Sequence, residues 1–122
     1  MELELLPGEL AICRLDPGDS VPSWARGDLV AVVRTGEELS VVCDAAAMPD
    51  GLDCSRGWRA LRVAGTLDLS LTGVLARLLA PLADAEVAIF AISSFDTDYV
   101  LVRGERLEEA RAALVAAGHD VV

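Results

Sequence analysis

The order of hydrophobic patterns in the C-terminal half of the chain constrains its fold more than any other feature. Apolar residues first alternate with polar ones and then recur at helical spacing. A nearly continuous apolar run follows, and after it come a second alternating stretch and a second stretch at helical spacing. These patterns predict strands and helices at Trp58–Ala64 (strand), Thr72–Asp84 (helix), Val87–Ser93 and Asp98–Arg103 (strands), Glu105–Ala117 (helix) and Asp120–Val122 (short strand).

The order βαββαβ predicts an α+β fold in which two helices cover one face of an antiparallel sheet. The segment Val87–Ser93 reads VAIFAIS, and its nearly continuous apolar character predicts a fully buried central strand. Pro81 lies inside the first helix and is expected to kink it or to begin a separate last turn. Gly118 is expected to end the second helix.

The N-terminal half reads as a meander of four strands with short connections. These strands are Glu2–Leu6, Leu10–Leu15, Asp28–Arg34 and Leu39–Cys43. The segment DPGDSVPSWARG contains two prolines and two glycines, so it has room for at most one short helical turn, near Pro22–Ala25. A second short helix is expected at Ala45–Asp50. The segment GLDCSRG reads as a linker, which predicts two halves, residues 1–57 and 58–122.

Composition excludes several classes of function. The 122 residues are 53% hydrophobic, but no apolar run approaches the ~18 residues that a membrane span needs. The first nine residues, MELELLPGE, have no basic residue, which is unlike a secretion signal and favours a cytoplasmic protein. All ten basic residues are arginine, and the net charge of −10 disfavours nucleic acids and anionic membranes as partners. Without lysine, the chain lacks Schiff-base and P-loop chemistry.

Cysteine and histidine provide no evident metal or catalytic set. Cys13, Cys43 and Cys54 have no CxxC spacing, and the first two lie in apolar strand-like runs, so buried structural thiols are expected. His119 is the only histidine and lies near the C-terminal end, where a catalytic role is disfavoured. No metal or cofactor is therefore expected.

Two segments could form a ligand site. The first, Leu67–Leu75, joins a strand to a helix, with Ser70 or Thr72 placed as the N-cap. The free N–H groups at Thr72, Gly73 and Val74 favour an anion such as a carboxylate, and an ordinary capped helix with nothing bound is the alternative.

The second segment, Ser93–Tyr99, lies where one strand ends and the next begins. Asp96 and Asp98 are suited to an ammonium group, although a polar hairpin turn is the alternative interpretation. An acid/base role for these two carboxylates is disfavoured, because no nucleophile accompanies them. Anion-favouring and cation-favouring groups close together suit a zwitterion, which suggests a free amino acid.

The βαββαβ order and the motifs SLTGVLA and IFAISSFDTDYVLV resemble those of ACT domains. The similarity is greatest to the stand-alone tandem-ACT proteins of bacteria and to the related ACT repeats of the animal cytosolic arginine sensor. It is strong over residues 58–122 and weaker over residues 1–57, which resemble a smaller, degenerate first ACT-like half.

The resemblance implies a ferredoxin-like fold and a regulatory module that binds an amino acid at the interface of two ACT domains. One wall of the site would come from one domain and the other wall from its neighbour, in a homodimer. The residues it implies are Ser70, Leu71, Thr72, Gly73 and Val74 in the first wall, Ser94, Phe95 and Asp98 in the second, and Ala88 and Ile89 facing the site from the partner. Phe95 reads equally well as a core aromatic.

Three functions follow from these observations. The first is a non-catalytic amino-acid-binding regulator. The second is an ACT-fold dimerisation or interaction module with no small-molecule ligand. The third, an enzyme using Asp96 and Asp98, is disfavoured because the chain offers no nucleophile, metal set or cofactor loop.

Overall fold

A computed structural model describes residues 1–68 and 70–122; Leu69, inside the first candidate segment, lies outside the described residues. The described chain forms strands, two α-helices and two 3₁₀ turns. Their bounds are β1 Glu2–Leu5, β2 Leu10–Leu15, β3 Ala31–Arg34, β4 Leu39–Asp44, a 3₁₀ turn Ala45–Ala47, β5 Cys54–Val63, α1 Val74–Asp84, β6 Ile89–Ser93, β7 Asp98–Arg103, a 3₁₀ turn Gly104–Arg106, α2 Leu107–Ala116 and β8 Asp120–Val121. The predicted α+β class is confirmed.

The chain forms two compact units. The larger unit comprises Met1–Pro7 and Arg59–Val122, and the smaller unit comprises Gly8–Trp58. Residues 1–7, grouped by sequence with the N-terminal half, therefore lie in the larger unit. The predicted linker at residues 51–57 is wrong from Cys54 onward, because that part of β5 pairs with β2.

The smaller unit is an antiparallel sheet in the order β3-β4-β2-β5. Its core includes Ala11, Cys13, Leu39, Val41 and Cys43. As predicted, Asp16–Gly27 contains no continuous helix. It has two separate turns, closed by the Asp19 N–H donating to the Asp16 carbonyl at 3.0 Å and by the Ala25 N–H donating to the Pro22 carbonyl at 3.1 Å. The second predicted short helix, Ala45–Asp50, is a 3₁₀ turn of three residues.

The edge strand β3 begins at Ala31 and not at Asp28. The Asp44 N–H, at the end of β4, donates to the Arg26 carbonyl at 2.9 Å. Residues 27–30 are therefore looped out of the ladder, which resumes where Ala31 pairs with Val42.

One expectation about cysteine is wrong. Cys13 is joined by a disulfide to Cys54, which lies directly opposite it across β2 and β5 with a Cα–Cα separation of 4.1 Å. Cys43 is the free, buried thiol that was expected, and burial raises its pKa. The pairing was not evident from sequence because the two residues are far apart along the chain.

The larger unit contains the order β6-β7-β5-β1-β8. β1 pairs antiparallel with β5 but parallel with β8, so the sheet departs from the predicted antiparallel pattern at its β8 edge. Both helices pack into one hydrophobic cluster with the strands. That cluster includes Leu78 and Leu82 of α1, Leu107, Ala110 and Leu114 of α2, and Leu3, Leu61, Val63, Val100 and Val102 of the sheet.

β6 is an edge strand, so the prediction of a fully buried central strand at Val87–Ser93 is wrong. Among the described residues β6 pairs only with β7, and Ala91 and Ser93 are exposed. Ile89 packs against the helix-covered core, while Phe90 and Ile92 are half-buried. Apolar residues on both faces read as a buried strand, but the pattern does not say how many neighbours a strand has.

α1 passes through Pro81 and continues to Asp84. Proline has no N–H, so it leaves the Arg77 carbonyl without its donor four residues later. The ring Nε2 of buried His119 lies 3.1 Å from that carbonyl and takes the place of the missing donor. His119 thus has a structural partner.

The end of α2 agrees with the prediction. Gly118 has a φ of +94°, and the His119 N–H donates to the Leu114 carbonyl at 3.0 Å. This is the arrangement of a Schellman motif, which needs a left-handed residue after the helix and is most easily formed by glycine.

Candidate functional site

A pocket of about 290 Å³ lies in the larger unit, at the end of the sheet where β5 leads into α1 and β6 turns into β7. One wall is the connection from β5 and the first turn of α1, and the other is the β6–β7 turn. The lining residues are Leu67, Asp68, Leu71, Gly73, Val74 and Leu75 in the first wall and Ser93, Ser94, Phe95, Asp96, Thr97 and Asp98 in the second.

Two hydrogen bonds join the walls. The Leu67 N–H donates to the Asp96 carbonyl at 2.6 Å, and the Thr97 hydroxyl donates to the Val63 carbonyl at 2.7 Å. The two segments singled out from the sequence are therefore neighbours within one unit.

Six of the ten predicted site residues line this pocket, and four do not. Leu71, Gly73, Val74, Ser94, Phe95 and Asp98 are in the lining. Ser70 and Thr72 lie in the first wall but outside the lining. Ala88 and Ile89 precede or begin β6, at the opposite end of that strand from Ser93.

The start of α1 differs from the prediction. Neither Ser70 nor Thr72 is the N-cap: Gly73 holds that position, with a φ of +77° and no side-chain cap bond. Because the first helical hydrogen bond runs from the Arg77 N–H to the Gly73 carbonyl at 3.0 Å, the amides without an intrahelical partner are those of Gly73, Val74, Leu75 and Ala76. The anion-favouring end of the helix is thus shifted toward Val74, which lines the pocket.

Asp68 is a lining residue that sequence reasoning passed over. Its Oδ1 accepts from the Ser70 N–H at 2.8 Å and from the Ser70 hydroxyl at 2.7 Å. These bonds, the backbone one first, lower the pKa of Asp68 because they favour its charged form. The signal for this turn is the spacing Asp-x-Ser, in which the aspartate side chain bonds the backbone two residues on.

The second wall is a hairpin turn closed by Ser94 and Thr97. The Ser94 N–H donates to the Thr97 carbonyl at 2.9 Å, and Ser94 Oγ accepts from the Thr97 N–H at 3.2 Å. Asp98 Oδ1 accepts from the Ser93 hydroxyl at 2.6 Å. The carboxylates of Asp96 and Asp98 both line the pocket from this turn.

Phe95 is not a core aromatic. Its side chain is 78% exposed, and Leu71 on the other wall is 54% exposed. The two residues place apolar surface on both sides of the pocket.

The charged side chains among the described lining residues are all negative. Asp68, Asp96 and Asp98 contribute carboxylates, and no arginine is among the described lining residues. The positive contribution comes from the start of α1, where free amides and the helix dipole favour an anion. Among residues 1–68 and 70–122, no group of His, Cys, Asp and Glu is arranged to hold a metal ion.

Comparison with known families decides the assignment. A family model described as an ACT domain matches residues 53–116. The chain belongs to the ACT domain family. A separate model for an N-terminal domain matches residues 8–51, nearly the extent of the smaller unit.

Solved structures support the same fold. A protein from Agobacterium tumefaciens is 34% identical, with a TM-score of 0.93, and the match covers 99% of this chain and 91% of that one. A protein of unknown function from Vibrio cholerae, described as a possible transport protein, is 21% identical, with a TM-score of 0.76 and coverages of 95% and 88%.

The regulatory subunit of aspartate kinase from Thermus thermophilus also has this fold. It is 14% identical, with a TM-score of 0.65, and the match covers 95% of this ACT protein and 97% of that subunit. No curated protein matches the sequence. In the described part of the chain, neither helix has the length and apolar character required to cross a membrane.

Proposed function

We propose that this ACT protein is a non-catalytic regulator that binds a free amino acid in the pocket between the start of α1 and the β6–β7 turn. The observation that carries the proposal is the pairing of an anion-favouring helix start with carboxylates in one small cavity. A volume of about 290 Å³ lies at the small end of ligand sites and has room for a free amino acid.

The charges of a free amino acid match those of the pocket. Its carboxylate would accept from the amides of Val74 and Leu75, and its ammonium would be held by Asp98 or by backbone carbonyls. No side-chain cation is among the lining residues that the structure describes, so the helix start is their principal site for an anion.

The proposed assembly is a homodimer formed along the free edge of β6. Within residues 1–68 and 70–122 this strand pairs only with β7, which leaves its other edge open next to apolar side chains, and such edges are usually covered. A partner chain there would bring its own Ala88 and Ile89 toward the site, as the resemblance implies.

The regulatory role is supported by the fold shared with the regulatory subunit of aspartate kinase. An amino acid would act by favouring one conformation or assembly of the protein, since a ligand shifts an equilibrium by its difference in affinity for the two states. A cytoplasmic location and the absence of a cofactor are part of this proposal.

A thermal-shift screen with the twenty protein amino acids tests the ligand. One amino acid, or a few of similar chemistry, should raise the melting temperature, because binding to the native state adds RT ln(1 + [L]/Kd), about 2.7 kcal/mol at a hundredfold excess over Kd. Calorimetry on the responding amino acid measures its affinity. If none responds and the protein is still a dimer, the interaction module without a small-molecule ligand is the better assignment.

A further inference from the structure

Thr97 differs from its neighbours in the β6–β7 turn. Its side chain is 6% exposed, whereas Ser94, Phe95 and Asp96 are exposed. A buried hydroxyl in an otherwise exposed turn needs a partner, because burial without one is unfavourable. The pattern of polar residues in this turn gives Ser94 and Thr97 the same possible role, a hydrogen bond to a polar ligand, and the site residues implied by the resemblance do not include Thr97.

The partner of the Thr97 hydroxyl lies on the opposite wall. Thr97 Oγ1 donates to the carbonyl of Val63 at 2.7 Å, and Val63 is the last residue of β5. The chain then leads into Leu67, whose N–H donates to the Asp96 carbonyl at 2.6 Å. The two bonds fasten consecutive residues of the turn to the beginning of the other wall.

Both sequence neighbours of Thr97 carry carboxylates that line the pocket, Asp96 and Asp98. Anchoring Thr97 therefore fixes where the backbone of each aspartate lies relative to the start of α1. We propose that Thr97 is a positioning residue for ligand binding, which holds the carboxylate wall at a set distance from the helix wall. This inference rests on the proposed function, because it assumes that the pocket binds an amino acid.

The test compares variants that keep or remove the hydroxyl. Thr97→Val preserves the shape of the side chain but removes the hydroxyl. Thr97→Ala removes the hydroxyl and leaves room for water, and Thr97→Ser keeps the hydroxyl. The first readout needs no ligand: exchange of the Leu67 amide proton, followed by NMR. We expect Thr97→Val and Thr97→Ala to accelerate this exchange at least tenfold and Thr97→Ser to stay within about threefold of the parent. The His119 amide should be unchanged in all three.

The second readout is the thermal shift produced by a mixture of the twenty protein amino acids. The hydroxyl-free variants should need about tenfold more of the mixture to reach half of the parent's shift, and Thr97→Ser should restore the parent response. Unchanged Leu67 exchange in a folded hydroxyl-free variant overturns the proposal, as does a Thr97→Ser protein that behaves like Thr97→Val.

The two hypotheses fail separately. If the parent itself shows no thermal shift, the proposed amino-acid ligand is wrong, while Leu67 exchange still decides whether Thr97 holds the walls together. If neither hydroxyl-free variant folds and Thr97→Ser does, the hydroxyl is needed for the fold as a whole, and a specific positioning role is overturned.

Discussion

At the scale of single residues, backbone geometry and hydrogen bonding determine what the candidate site presents to a ligand. Gly73 has a φ of +77°, a conformation that side chains disfavour, and it begins the helix without a side-chain cap. The Ser70 hydroxyl donates to the Asp68 carboxylate, and the Ser93 hydroxyl donates to the Asp98 carboxylate. The hydroxyls thus orient carboxylates, and the start of α1 is left open to an anion.

Asp98→Ala should weaken binding of the responding amino acid by about 2 kcal/mol, the scale of removing one partner from a charged hydrogen bond. Asp96→Ala is the matched control: its side chain is exposed, and the bond it makes to Leu67 uses its backbone carbonyl, which alanine retains. Calorimetry on the two variants measures the difference. An Asp98→Ala protein that binds as tightly as the parent would show that this carboxylate does not hold the ligand.

Pro81 and His119 should be energetically coupled. His119→Ala leaves the Arg77 carbonyl without a donor, at a cost of about 1–3 kcal/mol in the free energy of unfolding. In a Pro81→Ala background the new amide can bond that carbonyl, so the same substitution should cost at least ~1 kcal/mol less. Urea denaturation of the four proteins completes the double-mutant cycle. Additive effects would mean that the ring does not substitute for the missing amide.

At the scale of elements, the open edge of β6 is the feature best suited to pairing with a second chain. The Ser94 N–H bonds the Thr97 carbonyl, and the antiparallel ladder alternates from there. The N–H of Ala91 therefore points away from β7, toward the open edge. β3 has the equivalent position in the smaller unit, where the turn bond from the Thr35 N–H to the Glu38 carbonyl places the Val32 N–H outward.

Ala91→Pro should abolish the proposed dimer and leave the protomer folded, because proline is tolerated at an edge position whose N–H faces outward. Val32→Pro makes the same change at the other edge and should leave the dimer intact. Sedimentation of the two variants distinguishes the edges. Loss of the dimer in Val32→Pro alone would place the interface on β3.

Sequence patterns predicted the bounds of the strands more closely than the position of each strand in the sheet. β2 and β7 have their predicted bounds, because β2 is a mainly apolar run and β7 an alternating run, each between clear turn residues. β6 was assigned to the centre of the sheet because its composition does not report its number of neighbours. The proximity of the two site segments followed from the βαββαβ order, whereas the role of Gly73 as N-cap depended on a local φ that the residue pattern does not specify.

At the scale of the whole molecule, charge opposes self-association. Each chain carries a net charge of −10, so two chains repel each other at long range. Hydrophobic and backbone contacts along β6 would have to exceed this repulsion, which salt screens over about 10 Å at 0.1 M.

The proposed homodimer should therefore tighten as salt rises. Analytical ultracentrifugation across a sodium chloride series, from about 0.02 to 0.5 M, should show a falling dissociation constant. The Ala91→Pro variant should stay monomeric throughout. A dimer that dissociates as salt is added would indicate an interface held by opposite charges.

The division of β5 between the two units has a consequence for how the chain folds. Leu3 pairs with Val63, and the whole smaller unit lies between these two residues along the chain. Bringing β1 to β5 therefore closes a long loop, which costs entropy. Within the smaller unit, Leu10 already pairs with Trp58, which brings the two ends of that loop together. Early formation of the smaller unit would thus convert a distant encounter into a local one, and β1 would dock late in the folding pathway.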